Sequence, residues 1–492
     1  MLFNSFIFIF VFLPIVFCGY YILNYFKKYK WSVYWLILGS LFFYGFFEPK
    51  YLILISISIL TNFGIGTFIN RTVNQSTKKS LLTLGLVFNI SLLGYYKYTD
   101  FFITNINNAF GTQFDLLYLI LPLGLSFITF QKIAYLVDVY KGEAKEYSLS
   151  TFALFATFFP QLIAGPIVHH KEVIPQFEDS KNKKINIDNI SKGIFIFLIG
   201  LTKKVAIADT VAIWANDGFA NYQNLTFVES WVTSLSYTTQ LYFDFSGYCD
   251  MAIGLALLFN VKLPVNFFSP YKARNIQEFW KRWHMTLNRF LTQYVYFPLG
   301  GSRNGPVRTY FNIFVVFFIS GFWHGAGWTF IIWGILHGLA SICVRLWGKL
   351  NIRLPYLVSW FITFQFVNIA WVYFRATSVE QANSIIVKMF HLNQSELVDL
   401  FSFPLRNLVQ SAAVKIHFVP FDFYATLNNP KIIVPSLVVL LILTFFFRNS
   451  IQLLESFKYN WFAIVYCQAM LLMVLISIYI MQKNSVFLYF NF

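Results

Sequence analysis

Apolar runs close to twenty residues long recur from one end of this chain to the other. "FIFIFVFLPIVFCGYYILNYF" (6–26), "IIVPSLVVLLILTFFF" (432–447) and "WFAIVYCQAMLLMVLISIYIM" (461–481) are three of them. A hydrocarbon core about 30 Å thick takes roughly 20 helical residues to cross. Only 12% of the 492 residues are charged, against about 25% in soluble domains. The chain therefore reads as an all-α polytopic membrane protein forming one integral domain, 1–492, with the lipid bilayer as its first partner.

Hydropathy places candidate spans at 3–26, 31–47, 51–70, 79–97, 116–138, 190–213, 229–258, 309–323, 328–346, 355–374, 431–447 and 461–481, some eleven or twelve crossings. The first run has no Lys or Arg before it and no small-x-small site after it, so it is expected to stay as a span. Basic loops such as "KKYK" (27–30), "NRTVNQSTKK" (70–79) and "KGEAKEYS" (141–148) alternate with lysine-poor turns. Counting Lys and Arg puts these loops in the cytoplasm and both chain ends outside. The net charge of +16 follows from such loops, and no nucleic-acid motif accompanies it, so no nucleic-acid partner is expected.

One apolar piece resists a simple span. "STFALFATFFPQLIAGPIVHHKEV" carries Pro160 between two polar, basic flanks. It reads as re-entrant, since irregular backbone survives at depth only inside protein. A kinked ordinary span is the alternative, and would invert everything downstream.

Chemistry has few places to sit. The cysteines Cys18, Cys249, Cys343 and Cys467 are scattered singly, and no HxxxH or HExxH spacing links the seven histidines, so no metal site is expected. His169 and His170 are neighbours and are expected to point apart. His324 and His337 would be ~220° and ~20 Å apart on one continuous helix. His324 lies in "SGFWHGAGWTF", an imidazole amid apolar residues, and buried ionisable groups in membranes default to function. Gly321, Gly325 and Gly327 strip side chains from around it, which suits a passage walled by Trp323 and Trp328. In "NIQEFWKRWHMTLNRFLTQYVYF", Trp280, His284, Leu287 and Leu291 form one stripe of an amphipathic helix, with Lys281, Arg282, Asn288 and Arg289 largely off it. "LYFDFSGYCDMAIG" buries Asp244 and Asp250, whose partners are expected from the basic 272–308 region.

These motifs together resemble the membrane-bound O-acyltransferases. "EFWKRWHMTLNRFLTQYVYFPLGGSRNG" followed by "ISGFWHGAGWTFIIWGILHG" resembles the family's signature region, and "FFPQLIAGPI" and the terminal "FLYFNF" resemble its bacterial alginate and peptidoglycan O-acetyltransferase branch. The resemblance implies a ring of tilted helices, with interfacial pieces, around a thinned centre. It implies that His324 is the essential histidine and His284 the second one.

An acetyltransferase is then the leading expectation: acetyl enters from cytoplasmic acetyl-CoA, a substrate rather than a cofactor, and is delivered to an exported polysaccharide. His324 would act as general base, and His284 would position the thioester. Trp283 and Trp323 would wall the channel, Arg282 and Arg289 would meet the donor, and Asp244 would contact substrate. The Tyr489 hydroxyl would accept the acetyl group and hand it to an extracytoplasmic, esterase-like transferase with a serine nucleophile. A transporter or flippase for a lipid-linked saccharide is the competing class; it predicts internal repeats, and none is found.

Overall fold

The computed structural model describes residues 1–392, 430–481 and 487–488. Among these residues the fold is helical throughout, without a β-strand. A π-turn (Phe8–Phe12) opens α1 (Leu13–Tyr25), which packs against α2 (Tyr29–Gly45). The Trp35 indole fills the space over Gly19 and donates to the Val16 carbonyl at 3.1 Å. α3 (Tyr51–Arg71), α4 (Gln75–Phe110) and α5 (Leu125–Tyr140) pack on one another.

α4 runs 36 residues, well past the predicted span 79–97. The polar residues that closed the hydropathy window find partners instead of ending the helix. Thr99 returns its hydroxyl to the Tyr95 carbonyl, Asp100 accepts the Leu117 amide at 2.8 Å, and Lys97 reaches another helix. The predicted span 116–138 shrinks correspondingly to α5.

The Pro160 segment breaks into α6 (Leu149–Thr157) and α7 (Phe159–Leu162). Nine and four helical residues rise only about 20 Å in all, too little to cross. Residues 152–168 are buried apart from Ala153, so protein encloses the irregular backbone. Side chains meet its free amides: Ser40 Oγ accepts from Phe159, and Thr286 Oγ1 from Ile167. α8 (His170–Glu178) follows.

α9 (Ile187–Thr202) continues through a π-turn, Lys203–Ala208, into α10 (Asp209–Ala220). α11 (Phe227–Leu258) is the axis of the molecule, with its most apolar 18-residue window wholly buried. Two glycine pairs let α9 and α11 touch backbone to backbone. A Cβ on Gly193 would stand 2.8 Å from the Gly254 carbonyl oxygen, and one on Gly247 the same distance from that of Gly200. Small residues seven apart on each helix give this close crossing.

Next come α12 (Ile276–Trp280), α13 (Met285–Leu291), α14 (Gly305–His324), α15 (Trp328–Trp347), α16 (Tyr356–Arg375) and α17 (Val379–Phe390). α18 (Pro430–Phe446), α19 (Ser450–Glu455) and α20 (Trp461–Met481) complete the described helices. Among the described residues, six helical segments are long and apolar enough to cross a membrane: Phe8–Tyr25, Tyr51–Arg71, Phe227–Leu258, Gly305–His324, Trp328–Leu350 and Tyr356–Arg375. Ile432–Phe446, in α18, and Trp461–Ser477, within α20, are further apolar stretches. Large apolar side chains such as Phe10, Leu38, Ile53, Phe68 and Leu357 are exposed on the outer helices. A surface so apolar matches lipid, not water.

Candidate active site

α14 ends on His324, and an extended stretch through Gly325 and Gly327 turns the chain into α15. The glycines open no passage. A Cβ on Gly321 would collide with the Phe330 carbonyl and lie 2.9 Å from the Gly334 Cα, so Gly321 and Gly334 mark a tight crossing of α14 and α15. A Cβ on Gly325 would collide with the Phe330 ring. Trp328 is exposed and donates its Nε1 proton to Asn105 Oδ1 on α4 at 2.9 Å, so it walls no buried passage.

His324 itself is buried among rings. Its centroid lies 4.9 Å from Trp323, 5.1 Å from Trp333 and 5.1 Å from Phe374. His337 is on the separate helix α15, its ring 4.8 Å from that of Trp333, and its Nδ1 accepts from Trp280 Nε1 at 3.2 Å.

The continuous amphipathic helix expected through His284 does not form. α12 stops at Trp280, and His284, with φ +43° and ψ +52°, is the residue from which α13 starts. Left-handed backbone is unfavourable for a residue with a Cβ, although His is among the types that tolerate it best. Asn266 holds this break together. Its Oδ1 lies 3.1 Å from His284 Nδ1 and accepts from the Thr286 amide and hydroxyl, while its carbonyl accepts the Met285 amide. The break aims the buried imidazole of His284 toward His324, centroid to centroid 6.4 Å, with Phe245 edge-on at 4.9 Å.

The remaining expected residues divide. Trp323 touches the pair, 4.9 Å from His324 and 6.3 Å from His284, and stacks on Phe130. Trp283 is fully buried among Phe267, Phe279 and Trp371. Arg282 bonds Glu278 at 2.8 Å, and Arg289 clasps Glu172 at 2.5 and 3.0 Å. Glu278 outlies the spans. Burial raises its carboxyl pKa, but the Arg274 amide and the Arg282 and Arg274 charges outweigh that and hold it below the ordinary value.

The acids of α11 take partners from a different source than expected. Asp244 receives Lys204 Nζ at 2.6 Å, and Asp250 receives Lys203 Nζ at 2.6 Å. Both lysines belong to the π-turn after α9, which the glycine crossing presses against α11, and neither belongs to the 272–308 region. The second oxygen of Asp244 accepts the backbone amide of Leu488 at 2.9 Å, and Phe487 is buried against Tyr248 and under Lys204. Residues 487 and 488 therefore lie against α11. Tyr489 lies outside the described residues.

Sequence reading missed two supports. Asn266 carried no signal. Lys97 carried one, a lone ammonium in the apolar "LLGYYKYTDFF". It also misjudged His169 and His170. At the start of α8 both Nε2 atoms converge on Asp138 Oδ2, at 2.7 and 2.9 Å, and the rings lie 4.5 Å apart. The i, i+1 divergence holds within a helix, and His169 is the extended residue before it. Asp138, His169 and His170 are thus a group able to hold a metal, their ligand atoms within 4.8 Å of one another. His169 Nδ1 accepts the Lys171 amide at 3.3 Å, its Nε2 lies 2.9 Å from the Tyr294 hydroxyl, and that hydroxyl donates to Asp138.

Residues 41–380 match the membrane-bound O-acyltransferase family. The chain belongs to this family. It is 46% identical to the peptidoglycan O-acetyltransferase of Helicobacter pylori, over all of this chain and 98% of that one. It is 39% identical to the probable alginate O-acetylase of Pseudomonas aeruginosa, over 81% and 77% of the two chains. It is 27% identical to the teichoic acid D-alanyltransferase of Bacillus subtilis, over 48% and 62%. This O-acyltransferase is therefore an enzyme of polysaccharide O-acetylation in a membrane.

Proposed function

We propose that this enzyme moves acetyl from cytoplasmic acetyl-CoA across the bacterial cytoplasmic membrane for O-acetylation of peptidoglycan outside, with both chain ends extracytoplasmic. The relative that is similar over its whole length is named for peptidoglycan, which favours that glycan over an alginate-like one. One observation carries the catalytic reading: two buried imidazoles 6.4 Å apart, at the end of one helix and at the break of another. That spacing lets a single acetyl group engage both.

In this reading Tyr489 is the first acceptor. Its phenol oxygen attacks the thioester carbonyl while His324 takes the phenolic proton. The C–S bond breaks, His284 helps the thiolate leave, and the proton passes to sulfur, giving acetyl-tyrosine and free coenzyme A. A serine hydroxyl of an extracytoplasmic esterase-like partner then attacks the tyrosyl ester. A phenol of pKa ~10 leaves readily, and the acetyl-serine passes its acetyl to a glycan hydroxyl. The contacts of Phe487 and Leu488 with α11 support this. In the sequence Tyr489 follows Leu488, whose amide meets Asp244. Phe245, next to Asp244, meets His284.

The test is to incubate purified enzyme with acetyl-labelled acetyl-CoA and map protein-bound label. Label on the peptide carrying Tyr489, absent from Tyr489→Phe and from His324→Ala, is expected. Wild-type labelling of Tyr489→Phe would end the tyrosine relay, and wild-type labelling of His324→Ala would end the base assignment.

A further inference from the structure

The last carbonyls of a helix have no partner within it. At the end of α14 they are claimed by a helix more than two hundred residues away in sequence. Tyr98 on α4 donates its hydroxyl to the Phe322 carbonyl at 2.8 Å. Lys97 Nζ donates to the Trp323 carbonyl at 2.5 Å and to the His324 carbonyl at 3.2 Å. Its remaining hydrogen faces Ser126 Oγ on α5 at 3.4 Å. The side chains follow the same grip: the Tyr98 and Phe322 rings stack at 4.3 Å, and the ammonium lies 5.7 Å from the Trp323 ring.

We propose that Lys97 is a positioning residue for His324, fixing the end of α14 and thereby the place of the imidazole. The inference rests on the proposal that His324 performs the transfer. An ammonium has three hydrogens, and here three protein acceptors take them. None is left for substrate, so Lys97 acts by holding and not by contact with the reacting atoms. A cation at a helix C-terminus is also favourably placed against the dipole. The need is local. After His324 the chain passes directly into the extended Gly325 and Gly327, and α14 has no cap of its own there. An uncapped helix end frays, whereas a catalytic group has to stay within ~0.5 Å of its working position.

The experiment measures acetyl transfer by purified Lys97→Met, Lys97→Arg and Lys97→Ala, beside His324→Ala. A misplacement near 1 Å costs about 100-fold, so Lys97→Met is expected to lose kcat on that order with KM for acetyl-CoA changed less than ~2-fold. Lys97→Arg, whose guanidinium can donate to both carbonyls, is expected to recover at least ~10-fold over Lys97→Met. In Lys97→Ala, n-propylammonium is expected to restore rate saturably by filling the vacated site. Lys97→Met retaining more than half the wild-type kcat overturns the proposal. So does a loss that neither arginine nor the amine repairs. Should Lys97→Met fail to fold, the arginine and amine results decide alone. An active His324→Ala would instead remove the underlying reading, while an inactive one beside a fully active Lys97→Met would remove only this inference.

Discussion

The Leu488 amide donates to Asp244 Oδ2, fastening the residue before Tyr489 to the middle of the buried helix α11. The other oxygen of Asp244 holds Lys204, which Asp209 also meets at 2.9 Å. Asp244→Asn keeps an acceptor for the amide and removes the charge, and Lys204 retains Asp209. A hydrogen bond to a charged group is worth about 1.5–3 kcal/mol. The variant is therefore expected to fold, with tyrosyl acetylation slowed by one to two orders of magnitude and a C-terminal tag cut faster by carboxypeptidase. Wild-type labelling and wild-type tag protection would separate Asp244 from the tail.

His284 makes a paired prediction because its backbone and its ring can be tested separately. Its positive φ disfavours any residue with a Cβ by about 1–2 kcal/mol, and glycine escapes that cost. His284→Gly is expected to be at least as thermostable as His284→Ala, while both lose ~100-fold or more in transfer, on the scale of an acid–base group. Thermal unfolding in detergent and single-turnover acetyl transfer report the two properties. Activity surviving in His284→Gly would assign His284 to the turn alone.

What the sequence made legible was whatever a single segment carries. The apolar runs, the buried aspartates and the two histidine motifs can each be read within one stretch of sequence. The pairing of distant segments could not. Nothing in "KKVAIAD" announces that its lysines meet Asp244 and Asp250, because that depends on glycines seven apart on two helices facing one another. The stripe through Trp280, His284, Leu287 and Leu291 fits a helix perfectly well. The fit fails because Asn266, eighteen residues earlier, supplies the hydrogen bonds that make the break at His284 stable. The glycines beside His324 were visible, but whether a missing side chain leaves space or admits another backbone is decided by the neighbour.

The α9–α11 crossing gives a stability prediction away from the histidines. Gly247→Val would press a side chain onto the Gly200 carbonyl oxygen, 2.8 Å from the new Cβ, and onto Lys203. Backbone cannot give way as a flexible side chain does. Overpacking of this kind costs about 1–3 kcal/mol, and it would also disturb the Lys203–Asp250 and Lys204–Asp244 pairs. A lower unfolding temperature and reduced yield from membranes are expected. An unchanged melting curve would show that the two helices are not held this closely.

The last prediction concerns the donor. Arg289 was expected to meet acetyl-CoA, yet it is already bidentate with Glu172, and both side chains are about two-fifths exposed. Exposed ion pairs contribute about 0–1 kcal/mol, so breaking this one should hardly move stability. It leaves two accounts of Arg289, phosphate contact or loop clasp, and a charge swap tells them apart. Arg289→Glu breaks the clasp and reverses the charge. Adding Glu172→Arg rebuilds the pair in the opposite sense without restoring a cation on α13. If Arg289 serves the donor, KM for acetyl-CoA rises about tenfold, worth ~1.4 kcal/mol, in the single variant and stays raised in the double one. Recovery of the wild-type KM in the double variant would show that Arg289 works through Glu172, holding α8 to α13, and would move the phosphate contact to other basic residues of the 272–308 region.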